Sequence, residues 1–94
     1  MDVTDAPDQR RYEARIDGEL AGFTQYRASD RIVTFLHTEV QPGFEGKGVG
    51  SALVRGALDD VRAQGKKVRP VCEFVKGYIE KHPDDYGDLV DSAA

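Results

Sequence analysis

The chain has 94 residues, a net charge of −4 and a single cysteine, Cys72. That length suits one core spanning 1–94 and no second domain, and a lone cysteine rules out a disulfide framework and fits a reducing, cytoplasmic setting. Basic residues are scattered rather than gathered in a stripe, and no apolar run nears the ~18 residues of a membrane span, which argues against nucleic-acid and membrane partners.

Residues 1–10 are polar and acidic, carry no secretory signal, and read as a flexible lead-in. From Arg11 to Ile16 apolar residues alternate at Tyr12, Ala14 and Ile16, the period of a half-buried strand. Asp17-Gly18 is a favoured two-residue hairpin turn, and Glu19 to Ala28 supplies the returning strand. Ser29-Asp30 makes a second reversal into Arg31–Val40, a stretch rich in β-branched and aromatic residues. These elements predict an antiparallel meander with no helix before residue 42.

The pattern then changes. Val49, Leu53, Ala57 and Val61 recur every fourth residue, with Ala52, Val54 and Leu58 widening the apolar stripe of a helix. Gly65 provides its stop, and Lys66-Lys67 suit its negative end. Lys67 to Cys72 reads as a fourth strand made irregular by Pro70. Phe74 with Tyr78 and Val75 with Ile79 are i,i+4 pairs of a second helix that ends at His82-Pro83, with a further turn at Tyr86 and Leu89. The order β-β-β-α-β-α predicts an α/β fold of the α+β type on one small, mixed, mainly antiparallel sheet.

Between strand and helix stands a loop with Gly43, Gly46, Gly48 and Gly50 around Lys47. The first N–H groups of a helix lack intrahelical partners and lie at the positive end of its dipole. Glycines let an anion approach those groups, so the loop reads as an anion cradle to which Lys47 can add charge. The lysine and glycine spacing fails the G-x-x-x-x-G-K-[ST] phosphate loop. A dinucleotide fingerprint lacks its third glycine and its repeated βαβ units.

Glu45-Gly46-Lys47-Gly48-Val49-Gly50, followed by Ser51, resembles the [QR]-x-x-G-x-[GA] motif of the GCN5-related N-acetyltransferases, with Glu45 in place of Gln or Arg. Downstream, Pro70, Cys72, Phe74, Val75, Tyr78, Ile79, His82, Pro83 and Tyr86 resemble the C-terminal pattern of the small, truncated members. The resemblance implies a truncated acyl-CoA N-acyltransferase fold and an N-acetyltransferase that uses acetyl-CoA and an amine acceptor. An acidic surface mildly favours such a cationic acceptor. It also implies that loop amides from Glu45 to Ser51 hold the pyrophosphate of coenzyme A, and that Val40 meets the pantetheine where its strand splays from the next. The Glu45 carboxylate is expected to face solvent or Lys47. Larger relatives place helices between the first two strands; Asp17-Gly18 joins them directly here, so the acceptor side is expected to be open.

Three residues are candidates for the chemistry. Cys72, at the start of the second helix, is either a buried, inert thiol or a nucleophile. Tyr78 matches the tyrosine that serves the leaving thiolate, or else packs the helix. Glu39, which shares a strand face with His37, is either a general base or a solvated residue. A non-catalytic coenzyme A-binding or interaction module on the same fold is the alternative. His82 reads as a helix-end residue, and one Cys with two His is too little for a metal site.

Overall fold

The structure is a computed structural model that describes residues 1–91. A five-stranded sheet runs in the spatial order β1 (Asp2–Ala6), β2 (Arg11–Ile16), β3 (Glu19–Ala28), β4 (Ile32–Val40) and β5 (Lys67–Pro70). Neighbours from β1 to β4 are antiparallel, and β4 and β5 are parallel. A parallel pair needs a crossover, and α1 (Val49–Ala63) is that crossover. After β5 come α2 (Glu73–Lys81), the short α3 (Pro83–Tyr86) and a 3-10 turn at Gly87–Leu89.

The turns follow from local chemistry. Asp17 (φ 52°) and Gly18 (φ 83°) both take positive φ, as a tight hairpin turn of the favoured hand requires. At the end of α1, Gly65 (φ 73°) donates to the Arg62 carbonyl and Lys66 to that of Val61, a Schellman closure that satisfies two terminal carbonyls.

Two segments differ from the sequence reading. The lead-in forms β1, which pairs with β2 from Asp2↔Arg15 to Ala6↔Arg11, followed by a 3-10 turn at Pro7–Gln9. Backbone pairing and one apolar anchor suffice for an edge strand: Val3 packs against the core, where Gly56 of α1 makes room for it. The strand expected over Lys67–Cys72 ends at Pro70, where Val71 N–H turns back to the Arg69 carbonyl (3.1 Å).

The core lies between the sheet and the helices. Leu53, Val54, Ala57, Leu58 and Val61 of α1 pack with Tyr12, Ala14, Val33, Phe35 and Val68, and α2 adds Val75 and Ile79. Two adjacent aspartates secure α1: Tyr12 Oη donates to Asp60 (2.6 Å) and Tyr86 Oη to Asp59 (2.8 Å). Burial, then the neighbouring carboxylate, raises the pKa of both tyrosines and keeps them protonated donors. The opposite sheet face carries Glu13, Phe23, His37 and Glu39, and no helix among the described residues covers it. No helix among these residues is long and apolar enough to cross a membrane.

Candidate functional site

β4 changes character along its length. Ile32 to Phe35 pair with β5 on one side, from Ile32↔Lys67 to Phe35↔Pro70, and with β3 on the other from Val33 onward. The ladder to β3 then shifts register: Tyr26 faces Phe35 while Gln25 faces His37, so Leu36 is an extra, bulged residue. Beyond it, β4 keeps β3 (His37↔Gln25 to Val40↔Gly22) but has no β5 partner. The last main-chain link across the gap is Cys72 N–H to the Phe35 carbonyl, 2.9 Å. The two parallel strands therefore part, and the outward backbone groups of Leu36–Val40 line the opening.

The glycine loop closes this opening at its upper end. Gly43, Gly46 and Gly48 have φ of 90°, 77° and 74°, a region that other residues enter only under strain. A Cβ at any of the three would meet nothing within 4 Å, so open space borders the loop. Gly48 is the N-cap of α1, no side chain caps the helix, and the first intrahelical bond runs from Ala52 N–H to the Gly48 carbonyl. The preceding amides of the first turn thus meet the positive helix end without intrahelical partners. A cavity of about 300 Å³ lies beside them, bounded by Val40, Phe44, loop residues between Glu45 and Ser51, and Phe74. Its chemistry fits a phosphate bridged to an extended, part-apolar arm: amides at the loop, carbon at Val40 and the two phenylalanines.

The model of the GCN5-related N-acetyl-transferase family matches residues 11–89. The chain belongs to that family. Protein NATD1 of Mus musculus is 29% identical over 77 residues, which cover 80% of this chain and 70% of that one. Streptothricin acetyltransferase of Streptomyces lavendulae is 45% identical over 51 residues, 52% of this chain but only 27% of that protein. In fold, the chain resembles a GCN5-like protein of Staphylococcus aureus (TM-score 0.68, 22% identity, 96% of this chain and 87% of that one). It also resembles Ard1 of Thermoplasma volcanium (TM-score 0.60, 25% identity, 79% and 55%).

Within this GCN5-related fold, Val40, Glu45, Gly46, Gly48, Val49, Gly50 and Ser51 come together around the loop cavity. Lys47 is exposed and is not among the residues bounding the cavity. Glu45 does not reach for Lys47: its carboxylate accepts the Gly43 N–H at 2.7 Å, so it braces its own loop. Phe74, expected only to pack its helix, and Phe44, for which the sequence suggests no role, both border the cavity. In the structure Phe74 is 46% exposed and lies on Gly50, where a Cβ would come within 2.6 Å of its ring. The signal was present in the glycine: position 50 has no positive φ and is bare because a ring rests on it.

The three candidates for chemistry are dispersed. Cys72 is the N-cap of α2, 7% exposed, with Sγ 3.3 Å from Thr38 Oγ1, which lies 2.9 Å from Thr24 Oγ1. Tyr78 is buried, receives Arg55 Nε at 3.4 Å and stacks on His82. That bond, first among the causes, raises the Arg55 pKa, so the guanidinium stays charged. Glu39 projects from the opposite, uncovered face, half exposed and 3.3 Å from His37 Nε2. Cys72 and Tyr78 thus share the helical side, and the sheet separates them from Glu39.

Proposed function

We propose that this protein is an acetyl-CoA-dependent N-acetyltransferase acting on an amine in a reducing, cytoplasmic setting. The observation that carries this reading is the parting of β4 from β5 directly beneath the bare, uncapped start of α1. When bound, acetyl-CoA supplies a thioester whose acyl carbon an amine attacks as the thiol departs. Loop amides from Gly46 to Ser51 hold the pyrophosphate through hydrogen bonds and the helix dipole. The outward N–H groups of Leu36–Val40 orient the arm and polarise the carbonyl. Glu39, on the uncovered face, takes the proton from the incoming amine, directly or through water. The uncovered face is where the acceptor arrives, and Tyr78 serves the departing thiol.

Direct attack is favoured over a covalent route, because Cys72 is buried, bonded to Thr38 and absent from the loop cavity wall. The dispersion of Cys72, Tyr78 and Glu39 supports a second reading, a coenzyme A-binding module without turnover.

Calorimetry with coenzyme A tests the cradle. Gly48→Asp, which puts a carboxylate at the helix start, should weaken binding roughly tenfold. Gly50→Asp is the poorer probe, because Phe74 occupies its space. Equal affinity of wild type and Gly48→Asp would sink the cradle. Binding without acetyl transfer to any of a panel of amines would select the module, and Cys72→Ala should turn over as wild type does.

A further inference from the structure

The uncovered sheet face is not flat. A cavity of about 340 Å³ lies on it where β3 ends and β4 and β5 run side by side, with Ile32, Thr34 and Leu36 as its floor and Arg27 and Arg69 on its rim. The backbone of β4 is paired on both sides along Val33–Phe35, so that stretch offers a ligand side chains only. Strand alternation sends Val33 and Phe35 into the core and turns Ile32 and Thr34 outward. Thr34 pairs with Arg27 on one side and with Arg69 on the other. Two guanidinium groups thus flank one row, on strands roughly 10 Å apart.

Like charges on one row repel, and a chain of net charge −4 has carboxylates enough to neutralise them. Arg11, Arg15 and Arg62 are each ion-paired in this way. Arg69 is held by Asp91 at 2.8 Å yet stays 46% exposed. Arg27 has neither an ion pair nor a side-chain hydrogen bond among the described residues. Leu36, at the bulge, is 42% exposed, so apolar surface lies open beside that unneutralised charge. A trough with an apolar floor and a cationic rim suits an apolar segment that carries an anion.

Leu36 also begins the parted half of β4, so the trough continues along the strand toward Glu39. From Thr34 to Glu39 is roughly 15 Å of strand. A single amino acid is too short to place its amine at one end and its carboxylate at the other. An extended peptide covers that span in about four or five residues.

We propose that the acceptor is a lysine within a polypeptide, and that this trough reads an acidic residue three positions from it, beside an apolar one. The inference rests on the acetyltransferase reading above, with the lysine amine at Glu39. The apolar side chain covers Ile32 and Leu36, and the carboxylate meets Arg27, with Arg69 as the second cation. The trough takes no part in the chemistry; it selects which amine is presented.

The test uses the blocked peptide Glu-Leu-Ala-Lys-Ala-Leu-Glu and its counterparts with Gln or Arg at both ends, symmetric so that either chain direction can bind. In wild type, the KM of the Glu peptide should lie about fivefold below that of the Gln peptide, with the Arg peptide poorest. Arg27→Gln should bring the ratio of Glu to Gln peptide near one, and Arg27→Glu should make the Arg peptide the best of the three. Arg27 is exposed, so both variants should melt with wild type. Fluorescence anisotropy of the same peptides, dye-labelled, reads the trough without turnover. Equal affinity for all three in wild type, or a preference that survives Arg27→Glu, overturns the proposal. The expected binding order without acetyl transfer overturns the acetyltransferase reading and leaves the trough standing as a peptide site. A dimer that Arg27→Glu dissolves, with no peptide bound, assigns the trough to a second copy of the chain and overturns the proposal.

Discussion

The two ends of β4 share one neighbour and differ in the other. From Ile32 to Phe35 the strand is held by β5, and Val33 and Phe35 are buried under the helices. From Leu36 to Val40 it pairs with β3 alone, and Leu36, His37 and Glu39 are exposed. One residue separates the regimes: the bulge at Leu36 changes the register at the point where the ladder to β5 stops. The same strand is thus structural in its first half and available for a ligand in its second. Backbone polar groups left unpaired there are tolerable because they border an open cleft, where water or a ligand can meet them.

Substitutions can break this division. Phe35 is fully buried, so Phe35→Ala should lose about 3–5 kcal/mol of stability, read as a fall in the denaturant midpoint. Coenzyme A binding should decline only with the folded fraction. In the parted half the reverse holds. Glu39→Gln should leave the melting temperature within experimental scatter, since the side chain is half exposed, yet slow acetyl transfer by about 10²-fold or more if it is the base. Unchanged turnover would remove Glu39 from the chemistry while leaving the cradle standing.

A finer contrast lies along one row of the uncovered face, where Glu13 sits across from Phe23 and Phe23 across from Glu39. Glu13 is nearly enclosed and accepts from Arg11 (2.8 Å) and Arg15 (3.0 Å), and Arg11 also lies over the Phe23 ring. The Arg11 bond, then that of Arg15, holds the Glu13 pKa below the usual carboxylate range despite burial. A lowered folded-state pKa means stability that is present above the unfolded value and lost as pH falls through the folded one. Melting temperatures between about pH 6 and pH 3 should therefore decline less steeply in Glu13→Gln than in wild type. Identical slopes would show that the pair contributes nothing to acid stability.

Much of the fold was legible because its signals are local. Asp17-Gly18 adopts the predicted turn, the four-residue spacing from Val49 to Val61 forms the buried stripe of α1, and Gly65 closes that helix. β1 was illegible because an edge strand needs little side-chain pattern, and Val3 is its one apolar residue facing the core. The bulge at Leu36 leaves no composition signal, since a register shift is decided by partners on another strand. The glycine turn that opens α1 could be read from its spacing, whereas the dispersion of Cys72, Tyr78 and Glu39 could not. Which face each residue takes depends on that bulge and on the turn at Pro70.

The paired bonds at Asp59 and Asp60 matter beyond stability. Consecutive residues of a helix point about 100° apart around its axis. Asp60 is gripped from the sheet by Tyr12 and Asp59 from α3 by Tyr86. Like two keys set at different angles in one shaft, they stop α1 from rolling on the sheet. The direction in which its first amides point is therefore fixed nearly three turns away, and loosening either key would turn those amides without altering a single atom of the glycine loop.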